Sequence, residues 1–165
     1  MIFVTVGTQL PFDRLVKAVD AWCLQNTEVR VFAQIGDPGH TGYLPKSMAW
    51  KRFLTAAEVD HYFSTADLIV SHAGMGSIIS AMALPRRILV LPRRATLNEQ
   101  RNDHQYATAR KLEGRPNVFV AWSESEIGSK IEAIRSMPRQ HEMSVAPHAQ
   151  ESLIKSVRRF IETGR

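Results

Sequence analysis

Apolar positions along this chain switch repeatedly between an unbroken spacing and a helical one. Ile2-Phe3-Val4-Thr5-Val6 is a continuous, largely β-branched run, which predicts a strand buried on both faces of a parallel sheet. After Gly7-Thr8-Gln9, the residues Phe12, Leu15, Val16, Val19, Trp22 and Cys23 recur at helical spacing, with Pro11 at the expected first turn and Asp13 favourable at the positive end of the dipole. Val29 to Ile35 predicts a second strand. Gly36-Asp37-Pro38-Gly39 then opens a loop to about Met48, longer than a compact domain usually keeps without a use for it.

A third strand is predicted from Trp50 to Leu54, and Thr55-x-x-Glu58 has the spacing of a capping box ahead of Val59, Tyr62 and Phe63. Leu68-Ile69-Val70 follows as a strand, Ile78 to Leu84 as a helix ended by Pro85, and Ile88 to Leu91 as a strand ended by Pro92. Asn98 is the expected cap of a helix reaching about Leu112. Val118 to Ala121 is the sixth strand, and Ser123-Glu124-Ser125-Glu126 is a second capping-box match leading a helix to about Ser136. Far along the chain, Leu153, Ile154, Val157, Phe160 and Ile161 make one more apolar stripe. This alternation predicts an α/β fold, a Rossmann-like, doubly wound parallel sheet whose ligands bind beyond the C-terminal ends of the strands.

Composition narrows the setting. A chain of 165 residues with 44% hydrophobic content suits one globular domain. The single cysteine, Cys23, has no intramolecular partner, and no secretory signal pattern opens the chain, so a cytoplasmic location is expected. No apolar run approaches the ~20 residues that span a bilayer, which leaves membrane contact peripheral or indirect. The formal charge of +5 suits an anionic partner: nucleic acid, anionic lipid or a phosphorylated substrate.

Several chemistries are disfavoured by spacing. Gly74-Met75-Gly76 begins a dinucleotide fingerprint, but Ile79 stands where the third glycine belongs. No P-loop, His-Glu-x-x-His, Cys-x-x-Cys or Gly-x-Ser-x-Gly pattern occurs, so neither a bound metal nor a serine nucleophile is expected. Two strand-to-glycine turns remain, Thr5-Val6-Gly7-Thr8 and Ser71-His72-Ala73-Gly74-Met75-Gly76-Ser77. Each either meets a backbone angle requirement or presents N–H and hydroxyl donors to phosphate oxygens at a helix start. The polar cluster Arg101-Asn102-Asp103-His104-Gln105 is either a solvated first turn or a set of hydrogen-bonding groups for sugar hydroxyls.

Thr5-Val6-Gly7-Thr8-Gln9, Ser71 to Ser77 and Asn102-Asp103-His104-Gln105, taken in that order, resemble the C-terminal domain of family 28 glycosyltransferases over roughly Met1 to Ile134. The stand-alone branch of that family is the more similar: the catalytic subunit of the two-subunit dolichol-pathway N-acetylglucosaminyltransferase and its bacterial exopolysaccharide and capsule counterparts. The resemblance implies a GT-B donor domain over residues 1–147 that binds a UDP-sugar without a metal or cofactor and inverts the anomeric centre. It implies that Gly7 and Thr8, with Met75, Gly76 and Ser77, hold the diphosphate, that Gln9, Ser71 and Gly74 belong to the same UDP-sugar site, and that Phe53 and Leu54 meet uracil. Ser80 stands where the single-chain peptidoglycan relative has a ribose-binding glutamate, while Asn102, Asp103, His104 and Gln105 fall at the donor sugar.

His72, His104 and Gln105 are then the candidate catalytic residues, and Arg93, Arg94 and Arg101 possible supplementary cations. A family 28 enzyme has a second, acceptor-binding half. The resemblance therefore implies a membrane-anchored partner subunit holding a lipid-linked saccharide acceptor, and no nucleic acid. Residues 148–165 are the candidate docking element. A non-catalytic accessory subunit and a sugar-nucleotide epimerase on a related fold are the alternatives.

Overall fold

In the computed structural model, which describes residues 1–138, the expected alternation closes into one six-stranded, all-parallel sheet. The elements in chain order are β1 (Ile2–Thr5), α1 (Asp13–Cys23), β2 (Val31–Gln34), β3 (Ala49–Lys51), α2 (Ala56–Thr65), β4 (Leu68–His72) and α3 (Met75–Ala83). They continue as β5 (Arg87–Leu91), α4 (His104–Leu112), β6 (Val118–Val120) and α5 (Ile127–Ser136), with short 3-10 turns at Ala95–Leu97 and Glu124–Glu126. The candidate docking element at 148–165 lies outside the described residues.

Strand order is β3-β2-β1-β4-β5-β6. The chain runs outward from β1 to one edge, returns to the middle at β4, and runs outward to the other. The reversal between β1 and β4 is the topological switch point, where loops from the two strands diverge and leave a crevice beyond their C-terminal ends.

Side chains of successive strand residues face opposite layers. Val4, Val70, Leu89 and Leu91 pack with Leu15, Val16 and Val19 of α1 and with Ile127, Ile131 and Ile134 of α5. Phe3, Ile69, Ile88 and Val90 pack with Phe63 of α2, Ile78 and Ala81 of α3 and Ala109 of α4. Each face of the sheet is thus covered by helices, which explains why the inner strands read as unbroken apolar runs. Tyr62 stacks on both Phe3 and Phe32, with ring centroids 5.0 and 4.4 Å away, and closes the second layer over β1 and β2.

Three local expectations change. β3 stops at Lys51, so Phe53 and Leu54 belong to the connection after it. Asn98 caps no helix: it sits in the left-handed region (φ 56°) and ends the 3-10 turn Ala95–Leu97, while α4 starts at His104 with Asp103 before it. The Ser123 side chain accepts from the Ser125 N–H and closes a 3-10 turn, so α5 begins only at Ile127. The Thr55–Glu58 capping box forms as expected.

The long connection between β2 and β3 is anchored on α1. Asp20, buried, accepts from the Tyr43 hydroxyl (2.6 Å), the Lys46 N–H (3.0 Å) and the Ser47 N–H (2.7 Å), and Asp13 accepts from the Tyr43 N–H (3.0 Å). Gly36, at the start of that connection, lies against Val6 and the carbonyl of Gly7, so the loop backs the turn that leaves β1.

Candidate functional site

The crevice at the switch point is a cleft of about 310 Å³ lined by Gly7, Thr8, Gln9 and Leu10 from the β1–α1 connection, His72, Gly74, Gly76 and Ser77 from the β4–α3 turn, and Gln100, His104 and Gln105 at and before α4. Val6 and Arg93 complete it. Larger hollows exist, including one of about 890 Å³ beside α1 and one of about 520 Å³ at the N-terminal ends of the strands. Neither joins the glycine turns to the polar cluster before α4, whereas the small cleft does.

The turn after β1 is set by Thr5, whose Oγ1 donates to Gln34 Oε1 (2.9 Å) and accepts from the Gly7 N–H (3.2 Å). Gly7 then adopts φ 77°, a conformation that disfavours side chains. His72, at the end of β4, fills the space between the two turns: a Cβ on Gly7 would lie 2.9 Å from its Nε2, and one on Gly74 only 2.0 Å from its Cε1. Both glycines are therefore required by the same imidazole.

Beyond His72, α3 starts at Met75 with Gly74 at the cap and no capping side chain. The first N–H groups of a helix have no intrahelical acceptor, and here the cap Gly74 and the first-turn residues Gly76 and Ser77 line the cleft at the positive end of the dipole. α4 starts without an N-cap side-chain bond to its first turn as well.

Gln105 is the hub of the polar network. Its Oε1 accepts from the Arg93 N–H (3.2 Å), and its Nε2 donates to Gln100 Oε1 (2.8 Å) and His72 Nδ1 (3.2 Å). Because an amide nitrogen only donates, His72 Nδ1 is the acceptor and the ring proton sits on Nε2, beside Gly7. His104, exposed, is held by Asn102 Oδ1 at Nδ1 and by Gln100 Nε2 (3.3 Å) at Nε2. Asp103 accepts from the Ala95 N–H (2.8 Å) and so fixes the loop after β5.

Burial, reinforced by the Arg93 cation, pushes the His72 pKa down to about 4, so the ring is a neutral donor at physiological pH. A stability consequence follows by linkage. Above about pH 6.5 the ring is neutral folded and unfolded, and its contribution is complete; as pH falls from there toward 4, the unfolded chain takes a proton that the native chain refuses. The expected loss is about 3 kcal/mol by pH 4. Urea unfolding of the native protein and His72→Gln at pH 7 and pH 4.5 measures it: the variant loses less stability on acidification, and parallel losses would contradict the assignment.

Among the described residues no carboxylate lines the cleft, while Arg93, a neutral imidazole donor, the Ser77 and Thr8 hydroxyls and a helix N-terminus all do. That set suits an anion with several oxygens. Among the described residues no group of three or more His, Cys, Asp or Glu side chains is placed to hold a metal ion.

Of the residues singled out in the sequence, the cleft gathers Gly7, Thr8, Gln9, His72, Gly74, Gly76, Ser77, His104 and Gln105. Met75 lies beside it, 49% exposed, and Asn102 and Asp103 support it from behind. Ser71 is buried within the sheet, its Oγ without a hydrogen-bond partner among the described residues. Phe53, Leu54 and Ser80 are on the same edge or helix but do not line the cleft. Gln100, Leu10 and the inward course of Arg93 were not foreseen. Arg93 continues the alternation Leu89, Leu91 on the α1 side of β5, and that period-2 signal distinguishes it from Arg94.

Comparisons with known proteins agree with this architecture. Residues 1–161 match the model of the glycosyltransferase family 28 C-terminal domain. The UDP-N-acetylglucosamine transferase subunit ALG13 of Yarrowia lipolytica is 22% identical over 170 residues, covering 95% of this chain and 82% of that protein. The solution structure of ALG13 is similar with a TM-score of 0.58 and 20% identity over 94% of this chain and 93% of that one. Acinetobacter baumannii MurG is similar with a TM-score of 0.57 and 17% identity, over 81% of this chain and 41% of that one. A UDP-glucose:anthocyanidin 3-O-glucosyltransferase solved with UDP has a TM-score of 0.61 at 14% identity, and the chain spans 31% of its length.

Proposed function

The chain belongs to the glycosyltransferase family 28 C-terminal domain family, and from that premise we propose that it is the catalytic, donor-binding subunit of a two-part hexosyltransferase. It takes a UDP-sugar and passes the sugar, with inversion, to a lipid-linked saccharide acceptor held by a second, membrane-anchored subunit. The observation that carries this reading is the switch-point cleft, lined by donors and a cation and, among the described residues, by no carboxylate. Similarity to ALG13, which is named as a subunit of a UDP-N-acetylglucosamine transferase, supports the donor class and the dependence on a partner.

The reaction replaces the bond from the anomeric carbon to the diphosphate oxygen by one to the acceptor oxygen, and negative charge grows on the departing UDP. The N–H groups of Gly76 and Ser77 at the start of α3, the His72 Nε2–H and the Ser77 and Thr8 hydroxyls are the donors that would meet that charge, with Met75 beside them. A donor set without carboxylates favours a metal-independent reaction. Gln105, engaged with Arg93, Gln100 and His72, orders the site, while the exposed His104 exchanges its long Nε2 contact with Gln100 (3.3 Å) for a sugar hydroxyl. The base that takes the acceptor proton comes from the partner, since the imidazole at the cleft floor is a donor.

The rim supports a partner as well. Leu10 after β1, Phe53 after β3, Met75 and Ile79 after β4 and Leu97 after β5 are each 43–52% exposed, all beyond the C-terminal ends of the strands. Apolar side chains gathered on one edge suit a surface that another chain covers. No helix among the described residues is long and apolar enough to cross a membrane; in this reading the partner carries the membrane anchor.

Co-expression with a candidate membrane-anchored subunit encoded beside this chain, followed by titration with UDP and a screen of UDP-sugars, tests the reading. UDP binds the isolated chain, turnover needs both subunits, and His104→Ala abolishes turnover while UDP still binds. Turnover untouched by His104→Ala would make this chain an accessory subunit; isomerised free sugar without acceptor would make it an epimerase.

A further inference from the structure

Arg93 donates to four backbone carbonyls and to no carboxylate among the described residues. Its Nη1 reaches Pro11 O (2.7 Å) and Glu99 O (3.2 Å), its Nη2 reaches Val6 O (2.9 Å) and Leu10 O (2.7 Å), and the guanidinium lies 4.6 Å from the centre of the Phe12 ring. The Arg93 N–H meanwhile donates to Gln105 Oε1. One residue thus joins the connection leaving β1, the loop after β5 and the hub of the polar network.

The surroundings keep this cation in place without neutralising it. Glu99 spends its carboxylate on Arg14, with Nε to Oε1 and Nη2 to Oε2 both 2.8 Å, and on the Arg94 N–H (2.9 Å). A planar fork with five donors can serve acceptors on two separate loops at once; a lysine ammonium on a flexible stem cannot. Val6 O and Leu10 O flank Gly7, Thr8 and Gln9, so the guanidinium sets the path of the segment that forms one wall of the cleft.

We propose that Arg93 is a positioning residue for the diphosphate: buried behind the wall, it shapes the 6–11 segment so that Gly7 and Thr8 meet phosphate oxygens. This deepens the reading of the cleft as a UDP-sugar site and rests on it. The role is specific to the phosphates, because the partners of Arg93 lie in the turn after β1 and the loop after β5 and at Gln105, and include neither Phe53 nor Leu54, the residues expected at uracil.

The test titrates UDP and uridine separately into the wild-type chain, Arg93→Lys and Phe12→Leu, with thermal unfolding of each in parallel. Arg93→Lys keeps the charge but loses the fork, and its UDP dissociation constant is expected to rise about tenfold while that of uridine stays within about twofold. Phe12→Leu loosens the guanidinium while leaving its acceptors, and shifts UDP binding in the same direction by a smaller factor; it carries the test should Arg93→Lys fail to fold. Equal weakening of UDP and uridine, or unchanged UDP binding in a folded variant, overturns the inference while leaving the cleft's assignment intact. A wild-type chain that binds no UDP overturns both.

Discussion

Gly74→Ala is expected to abolish nucleotide binding and to destabilise the fold by about 2–3 kcal/mol, because the added methyl would stand 2.0 Å from Cε1 of His72. The imidazole has no easy retreat, being held at Nδ1 by Gln105 and enclosed by the turn after β1. Gly7→Ala combines a milder approach, 2.9 Å to Nε2, with a positive φ that costs a side chain about 1–2 kcal/mol. Gly76→Ala separates the two effects. Its Cβ would meet nothing within 4 Å, so the variant should unfold like the wild type. A loss of UDP affinity there reports a ligand that approaches the backbone closely. Denaturant midpoints and UDP titrations of the three variants provide the comparison; a fully stable Gly74→Ala that binds normally would contradict the wedged imidazole.

The second large effect lies away from the cleft. Asp20→Asn is expected to cost about 2–4 kcal/mol, since the amide presents a donor to groups that are themselves donors. Burial alone would raise the pKa of Asp20, but the Tyr43 hydroxyl and the Lys46 and Ser47 amides outweigh it, so the carboxyl stays ionised to lower pH than usual. Its contribution is complete above the ordinary carboxylate range and is lost on acidification through the lowered value. Tyr43→Phe removes one of the three donors and should cost about 1 kcal/mol. Chemical unfolding gives the magnitudes, and hydrogen exchange at residues 43–47 locates them. An Asp20→Asn protein within 0.5 kcal/mol of the native one would show that the loop is held by other means.

The fold was legible because buried parallel strands must be apolar on both faces, and Ile2-Phe3-Val4 or Ile88-Leu89-Val90-Leu91 have few other uses. The glycine turns were legible too, although their reason was not. Gly7 and Gly74 are usually explained by backbone angles, yet Gly74 has φ −81° and is needed for the ring of a residue two positions away. Spacing rules carry no information on such contacts. Asn98 misled for a related reason: a residue suited to a helix cap is equally suited to a left-handed turn end, and the pinning of Ala95 by Asp103 selects the latter. Gln105, read as a sugar contact, reveals its internal partners only once Arg93, Gln100 and His72 come together from three separate segments.

The central position of β1 also decides when the site comes into being. Gly7 leaves the ribosome before the wall opposite it, which belongs to β4 and α3, and before Gln105, whose amide orients His72. Gln105 follows Gly7 by 98 positions, roughly 5–20 s of synthesis. Until Gln105 is made, the His72 imidazole lacks the amide that orients it, so nucleotide meets its complete site late and can reward a nearly finished molecule rather than template its folding.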